Sequence, residues 1–221
     1  MENEKYLWFD NLIGQTNSGV FKGVRYTNEF RTINEKHQFF QTTDFRTGSI
    51  TYMGQDYFEL QMQYDVYLDQ LLVMNGALPN RPIMFFDKQG VARFSIEGHS
   101  FEHLTYTTSN EKKSGFFEVL LKNESLRLYK KHSRKIFKRT DAQNLYYEFK
   151  DGHSYLLQSG STYYPFKKVK ELNGIFPEYR KEIKPILKRH VALKNSDTDA
   201  YVRAVLNDVL ALKPIPKKDA L

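Results

Sequence analysis

The sequence predicts an α+β fold that is mainly β: an antiparallel meander, shaped as a curved sheet, half-barrel or barrel, with helices at the C-terminus. Three observations predict it. Tyr57–Leu68 alternates strictly between apolar and polar side chains. A series of short apolar runs follows, punctuated by Gly, Asn and Asp. After Pro165 the apolar spacing changes from two residues to about 3.6.

Taken in order, residues 1–20 have little periodicity and read as an extended arm, in which Trp8 and Phe9 are apolar residues that need a groove to dock in. Residues 21–166 read as the β domain, 167–213 as a helical segment packed on it, and 214–221 as a tail. Val24–Phe30 is a candidate strand, and Gly48–Met53 another that turns at Gly54-Gln55-Asp56. In Tyr57–Leu68, Phe58, Leu60, Met62, Tyr64, Val66 and Leu68 fall on one face. A one-residue slip would expose that set at about 1.5–3 kcal/mol per large side chain, so the register is well specified.

Hairpins are expected next. Ile83–Phe86 and Val91–Ile96 flank Asp87-Lys88-Gln89-Gly90, and Phe101–Tyr106 follows Glu97-Gly98. Thr107–Ser114 is polar throughout and reads as an exposed loop. Phe116–Leu121 and Leu126–Tyr129 flank another turn; Leu145–Phe149 and Tyr155–Leu157 flank Asp151-Gly152, the strongest turn dipeptide in the chain. Ser159-Gly160 opens a last strand through Tyr163 and Tyr164. In the helical part, Gly174 ends a short helix, Pro177 suits a first turn and Pro185 should break the second helix near Lys184. Ser196 caps a final helix whose stripe is Tyr201, Val202, Val205, Leu206, Val209 and Leu210.

Composition narrows the chemistry. With no cysteine among 221 residues, thiolate nucleophiles, disulfides and Cys-based zinc sites are excluded. The 17 Phe and 15 Tyr favour pleated surfaces, and a net charge of +7 favours anionic partners. No apolar run approaches the ~20 residues of a membrane helix. The polar start Met1–Lys5 carries no export signal, as a chain whose signal had been removed would also begin. Neither a nucleophile elbow nor a phosphate-binding glycine loop is present, so no catalytic residue and no cofactor is assigned.

Candidate surfaces remain. Gln61, Gln63, Asp65 and Tyr67 form a polar–aromatic strip on the solvent side of the long strand, suited to a glycan or peptide. Asp65 and Asp69, with His103 elsewhere, are the residues a hydrolase reading would use, although i, i+4 on a strand separates Cα atoms by ~13 Å. His99 and His103 share a strand face with Glu102 opposite, which gives no metal site. In the basic stretch Arg127–Arg139, Lys130, Lys131, Arg134, Lys135, Lys138 and Arg139 interleave with Tyr129 and Phe137. That pattern suits an anion or nucleic acid, or an edge strand protected by lysines; nucleic acid is the less favoured partner, since no recognition motif accompanies it.

Three stretches, Arg31–Phe40, Gly54–Val73 and Gly174–Ile183, resemble uncharacterised exported proteins of Bacteroidota, of the flavobacterial type. The resemblance implies a periplasmic, outer-membrane-associated or secreted location and no known activity; the residues themselves leave the cytoplasm open. Together these readings lead to a non-enzymatic binding or structural module of the cell envelope with a protein or glycan partner. A hydrolase-like enzyme and an anion or nucleic-acid binder are the alternatives.

Overall fold

The computed structural model describes residues 24–75, 82–108, 111–123, 126–141 and 144–212. Trp8 and Phe9 lie outside them. Eleven strands form one antiparallel sheet that does not close: β1 (Val24–Arg25), β2 (Arg46–Tyr52), β3 (Gln55–Asp65), β4 (Gln70–Met74), β5 (Ile83–Phe85), β6 (Val91–Ile96), β7 (His99–Thr108), β8 (Glu111–Lys122), β9 (Leu126–Thr140), β10 (Leu145–Ser159) and β11 (Thr162–Phe166). Their order is β1-β5-β4-β3-β2-β6-β7-β8-β9-β10-β11. Four short helices follow: α1 (Leu172–Ile175), α2 (Arg180–Arg189), α3 (Leu193–Ser196) and α4 (Thr198–Leu212). No described helix is long and apolar enough to cross a membrane.

The chain gathers into two compact units. The first holds residues up to Thr105 with Lys112–Glu118 and His132–Gly152; the second holds Tyr106–Glu111, Val119–Lys131 and His153 onward. The core of the first is aromatic. Phe94 stacks on Phe101 at 4.6 Å, and Tyr64 and Phe116 meet them edge-on. Ile50, Leu60, Met62, Leu71, Val73 and Val91 complete it. In the second, Leu126, Leu128, Tyr155 and Leu157 present one face of β9 and β10 to Ile183 and Ile186 of α2 and Val202, Val205, Leu206 and Val209 of α4. Each such side chain contributes about 1.5–3 kcal/mol on full burial.

Several turns follow their sequence signals. Met53-Gly54 and Glu97-Gly98 take positive φ at both positions, as tight hairpins with right-twisted strands require. Others do not. β5 and β6 are not a hairpin: β5 pairs with β4, while β6 crosses to the far side of β2. Asp87–Gly90 instead forms a 3-10 turn, in which Asp87 Oδ1 accepts from Gln89 N and Gly90 N donates to Asp87 O. Asp151-Gly152 is no turn either, because β10 runs straight through it. Gly152 lies in this extended backbone at a close approach to β9, where a Cβ would lie 2.8 Å from Ser133 Oγ. The β10–β11 reversal falls at Gly160, φ 56°.

The polar segment Thr107–Ser114 is mostly strand, in β7 and β8, and not a long loop. The basic stretch lies within β9, whose neighbours are β8 and β10, so it is not an edge strand. Pro185 leaves α2 continuous; it sits on the exposed side, as does Lys181, whose carbonyl it cannot bond, while Ile183 and Ile186 stay buried. The cap of α4 is Asp197 and not Ser196: Asp197 Oδ1 accepts from Ala200 N at 2.9 Å, while Ser196 Oγ bonds back to the Ala192 carbonyl.

Candidate functional site

The long strand departs from its alternation at one residue. Glu59 has φ 55°, and the pairing with β2 steps from Gly48↔Leu60 to Ile50↔Tyr57, three residues of β3 against two of β2. This bulge reverses the faces before it, so Tyr57 is buried and Phe58 is half exposed, the opposite of the strict pattern. The strand also stops at Asp65, where Asp65 Oδ1 accepts from Leu68 N and reverses the chain.

The predicted strip is therefore divided. Gln61 is exposed and donates to Thr47 Oγ1 at 2.9 Å. Gln63 is buried, its amide donating to the Thr43 carbonyl. Asp65 is fully buried and accepts from Tyr26 Oη at 3.1 Å. Burial raises the Asp65 carboxyl above its ordinary range, against the Leu68 and Tyr67 amides, Tyr26 Oη and the Arg134 charge. Tyr67 packs edge-on against Phe30 and Phe149. Of these four Gln61 is exposed and Tyr67 half-buried, while Gln63 and Asp65 are covered by the chain preceding β2.

The hydrolase candidates are held by different partners. Asp69 accepts from Tyr64 Oη at 2.6 Å and from Lys88 Nζ at 2.9 Å. His103 Nε2 lies 2.9 Å from Ser114 Oγ.

The basic residues also part company. In the second unit, Lys130 Nζ donates to Asp199 at 2.5 Å, and Tyr155 Oη donates to the same carboxylate. Lys131 is half buried. In the first unit, Arg134 is half-buried, bonded to Asp151 and to the Phe39 carbonyl. Lys135, Lys138 and Arg139 are exposed. The Phe137 ring has Lys135 Nζ and Arg139 Cζ each 5.4 Å from its centroid.

Sequence reasoning missed a buried carboxylate. Glu118 of β8, 6% exposed, accepts from His99 Nδ1 of β7 at 2.5 Å and from His132 Nε2 of β9 at 2.7 Å. Phe40 meets both imidazoles edge-on, at 5.1 and 5.0 Å. Gln41 Nε2 lies 2.9 Å from His99 Nε2. Burial alone would raise the Glu118 carboxyl, but the bonds and charges of His132 and His99 outweigh it and lower it to about 2. One nitrogen of each imidazole is spent on a Glu118 oxygen, and among the described residues no three such groups are disposed to hold a metal ion. One signal was available: a lone carboxylate inside the apolar run Phe116-Phe117-Glu118-Val119-Leu120-Leu121.

The outer face of β2, β3, β6 and β7 carries two polar ladders. Ser49, Ser95 and Ser100 stand directly opposite one another across β2, β6 and β7, with Ser49 Oγ 2.8 Å from Ser95 Oγ. Two residues along, Asp56, Thr51 and Arg93 align across β3, β2 and β6. Thr51 Oγ1 donates to Asp56 and accepts from Arg93 Nε at 2.9 Å; an Arg93 guanidinium nitrogen lies 3.7 Å from Asp56. The bulge turns Phe58 onto this same face. Together they line an open groove of about 260 Å³. It joins hydroxyls, one carboxylate–guanidinium pair and one aromatic ring, a set that offers hydrogen bonds and an apolar contact but no nucleophile with its base.

No family model matches the chain, no curated protein matches it, and no solved structure matches it.

Proposed function

We propose that the protein is a non-enzymatic binding module whose partner is a glycan, held in the groove of β2, β3, β6 and β7. The observation that carries this reading is the pairing of the serine ladder with Phe58 and the Asp56–Arg93 pair in one groove. A sugar ring has an apolar face of C–H groups and a rim of hydroxyls. Phe58 suits the first. The serines, with Asp56 as acceptor and Arg93 as donor, suit the second. The groove is built on strands and its polar groups already bond one another, so little ordering is needed on binding. The hydrolase reading draws no comparable support, since Asp65, Asp69 and His103 do not line this groove.

An envelope location belongs to the proposal through the resemblance to exported proteins. Fractionation of the native host into cytoplasm, periplasm and outer membrane tests it: recovery with the envelope fractions is expected, and a wholly cytoplasmic protein would refute that part.

Screening the full chain on a glycan array at physiological salt tests the binding reading. Selective binding to one glycan class is expected, weakened about tenfold or more in Phe58→Ala, a loss of about 1.4 kcal/mol. Arg93→Ala should weaken it comparably without lowering the thermal midpoint, because Arg93 is exposed. Binding to no glycan, or binding that ignores both substitutions, would refute it.

A further inference from the structure

We propose that the solvent-facing side of the β9–β10 hairpin end is a docking surface for a carboxylate-bearing polysaccharide. The register across this hairpin is fixed at both ends. Ser133 abuts Gly152 and Arg134 pairs with Asp151; at the turn, Asp141 N donates to the Asn144 carbonyl. Between these points Lys135 stands opposite Lys150, and Phe137 opposite Glu148, with Arg139 one step further on the same face. Lys135 and Lys150 are both exposed, and among the described residues neither is paired with an acid. Like charges directly opposite on a sheet lower its stability.

Between these points the one acid is Glu148, and it is already engaged. It accepts from Lys36 Nζ at 3.1 Å, Asn34 Nδ2 at 3.0 Å and Arg139 Nε at 3.2 Å. Lys36, Lys135, Arg139 and Lys150 thus share one face with a single carboxylate, which leaves an excess of positive charge there. An incoming anion placed between Lys135 and Lys150 converts their repulsion into two attractions.

The arrangement selects among anions. Nucleic acid would use a free aromatic face for base stacking, but both cations flanking Phe137 are held over its ring. The other ring on this face, Tyr146 opposite Arg139, is half-buried, so cations on a strand surface with little ring area to stack on fit a polymer whose charges are carboxylates on sugar rings. This surface is separate from the serine-lined groove and does not depend on it.

The test compares the full chain, the double variant Lys135→Gln/Lys150→Gln and the control Lys184→Gln on α2. Each is titrated with a short oligouronate, its carboxyl-reduced counterpart and a single-stranded oligodeoxynucleotide, at low and physiological salt. The oligouronate should bind in a salt-sensitive way and its reduced form should not. The double variant should lose about tenfold or more in affinity while its thermal midpoint holds or rises, and the control should bind as the native chain does. Three results would overturn the proposal: no oligouronate binding at low salt, equal binding by the double variant, or tighter binding of the oligodeoxynucleotide. Failure here with glycan binding intact in the groove refutes this surface alone; loss of groove binding with the oligouronate result intact refutes the groove alone.

Discussion

Individual residues carry the clearest electrostatic consequences. Glu118 is held at about 2, from an ordinary 4.5, by two imidazole donors. Its folded carboxyl is therefore the stronger acid, so its stabilisation is fully present above about pH 5 and is lost as pH falls toward 2. The shift corresponds to an effect on the order of 3 kcal/mol. Glu118→Gln should unfold at lower urea than the native chain at pH 6, and the gap should narrow steadily toward pH 3; a gap independent of pH would contradict the bridge. Asp65 acts in the opposite sense. Its carboxyl is raised by burial, so its charge costs stability as pH rises through the carboxylate range. Neither role was legible in the sequence. Glu118 looked like one polar position in an apolar run, and its two partners lie 19 and 14 residues away. Asp65 sat on what read as a solvent face, which the chain before β2 in fact covers.

Among the elements, the sequence disclosed strands better than it disclosed their connections. Alternation correctly placed Leu60, Met62 and Tyr64 in the core, since side chains two apart share a face. It inverted Tyr57 and Phe58 because a bulge leaves no mark in an apolar–polar pattern. Asp151-Gly152 misled for a related reason: glycine serves a turn and a close strand approach equally well, and only the partner strand decides between them. The glycine of β2 makes the same point as a prediction. A Cβ on Gly48 would lie 2.3 Å from the Ser95 carbonyl oxygen and 2.6 Å from Met62 Cε. Gly48→Ala should cost about 1–3 kcal/mol or more in a urea titration, since backbone in a paired strand has little room to give. A neutral substitution would mean that β2 and β6 are further apart than described. In α4, Leu206 is fully buried among Tyr155, Phe166 and the α2 isoleucines. Leu206→Ala should lose about 2–5 kcal/mol, while Lys184→Gln on the exposed side of α2 should change stability by less than about 0.5 kcal/mol.

For the molecule as a whole, the mainly β fold with C-terminal helices follows from patterns that are local and therefore readable. The sheet order does not, because β6 joins β2 across three intervening strands of sequence, and no local signal records that crossover. The groove depends on it. Ser49 and Thr51 come from β2, Ser95 and Arg93 from β6, and they become neighbours only when those strands pair. Phe58 joins them only through the bulge. A strip read along one strand thus pointed to Gln61, Gln63, Asp65 and Tyr67, whereas the open polar surface runs across four strands. The most direct measurement is a chemical-shift titration of the isotope-labelled chain with the glycan class that an array selects. Shifts should concentrate at Ser49, Thr51, Phe58, Arg93, Ser95 and Ser100 and vanish in Phe58→Ala. Shifts confined to other residues, or unchanged in that variant, would contradict glycan binding in this groove.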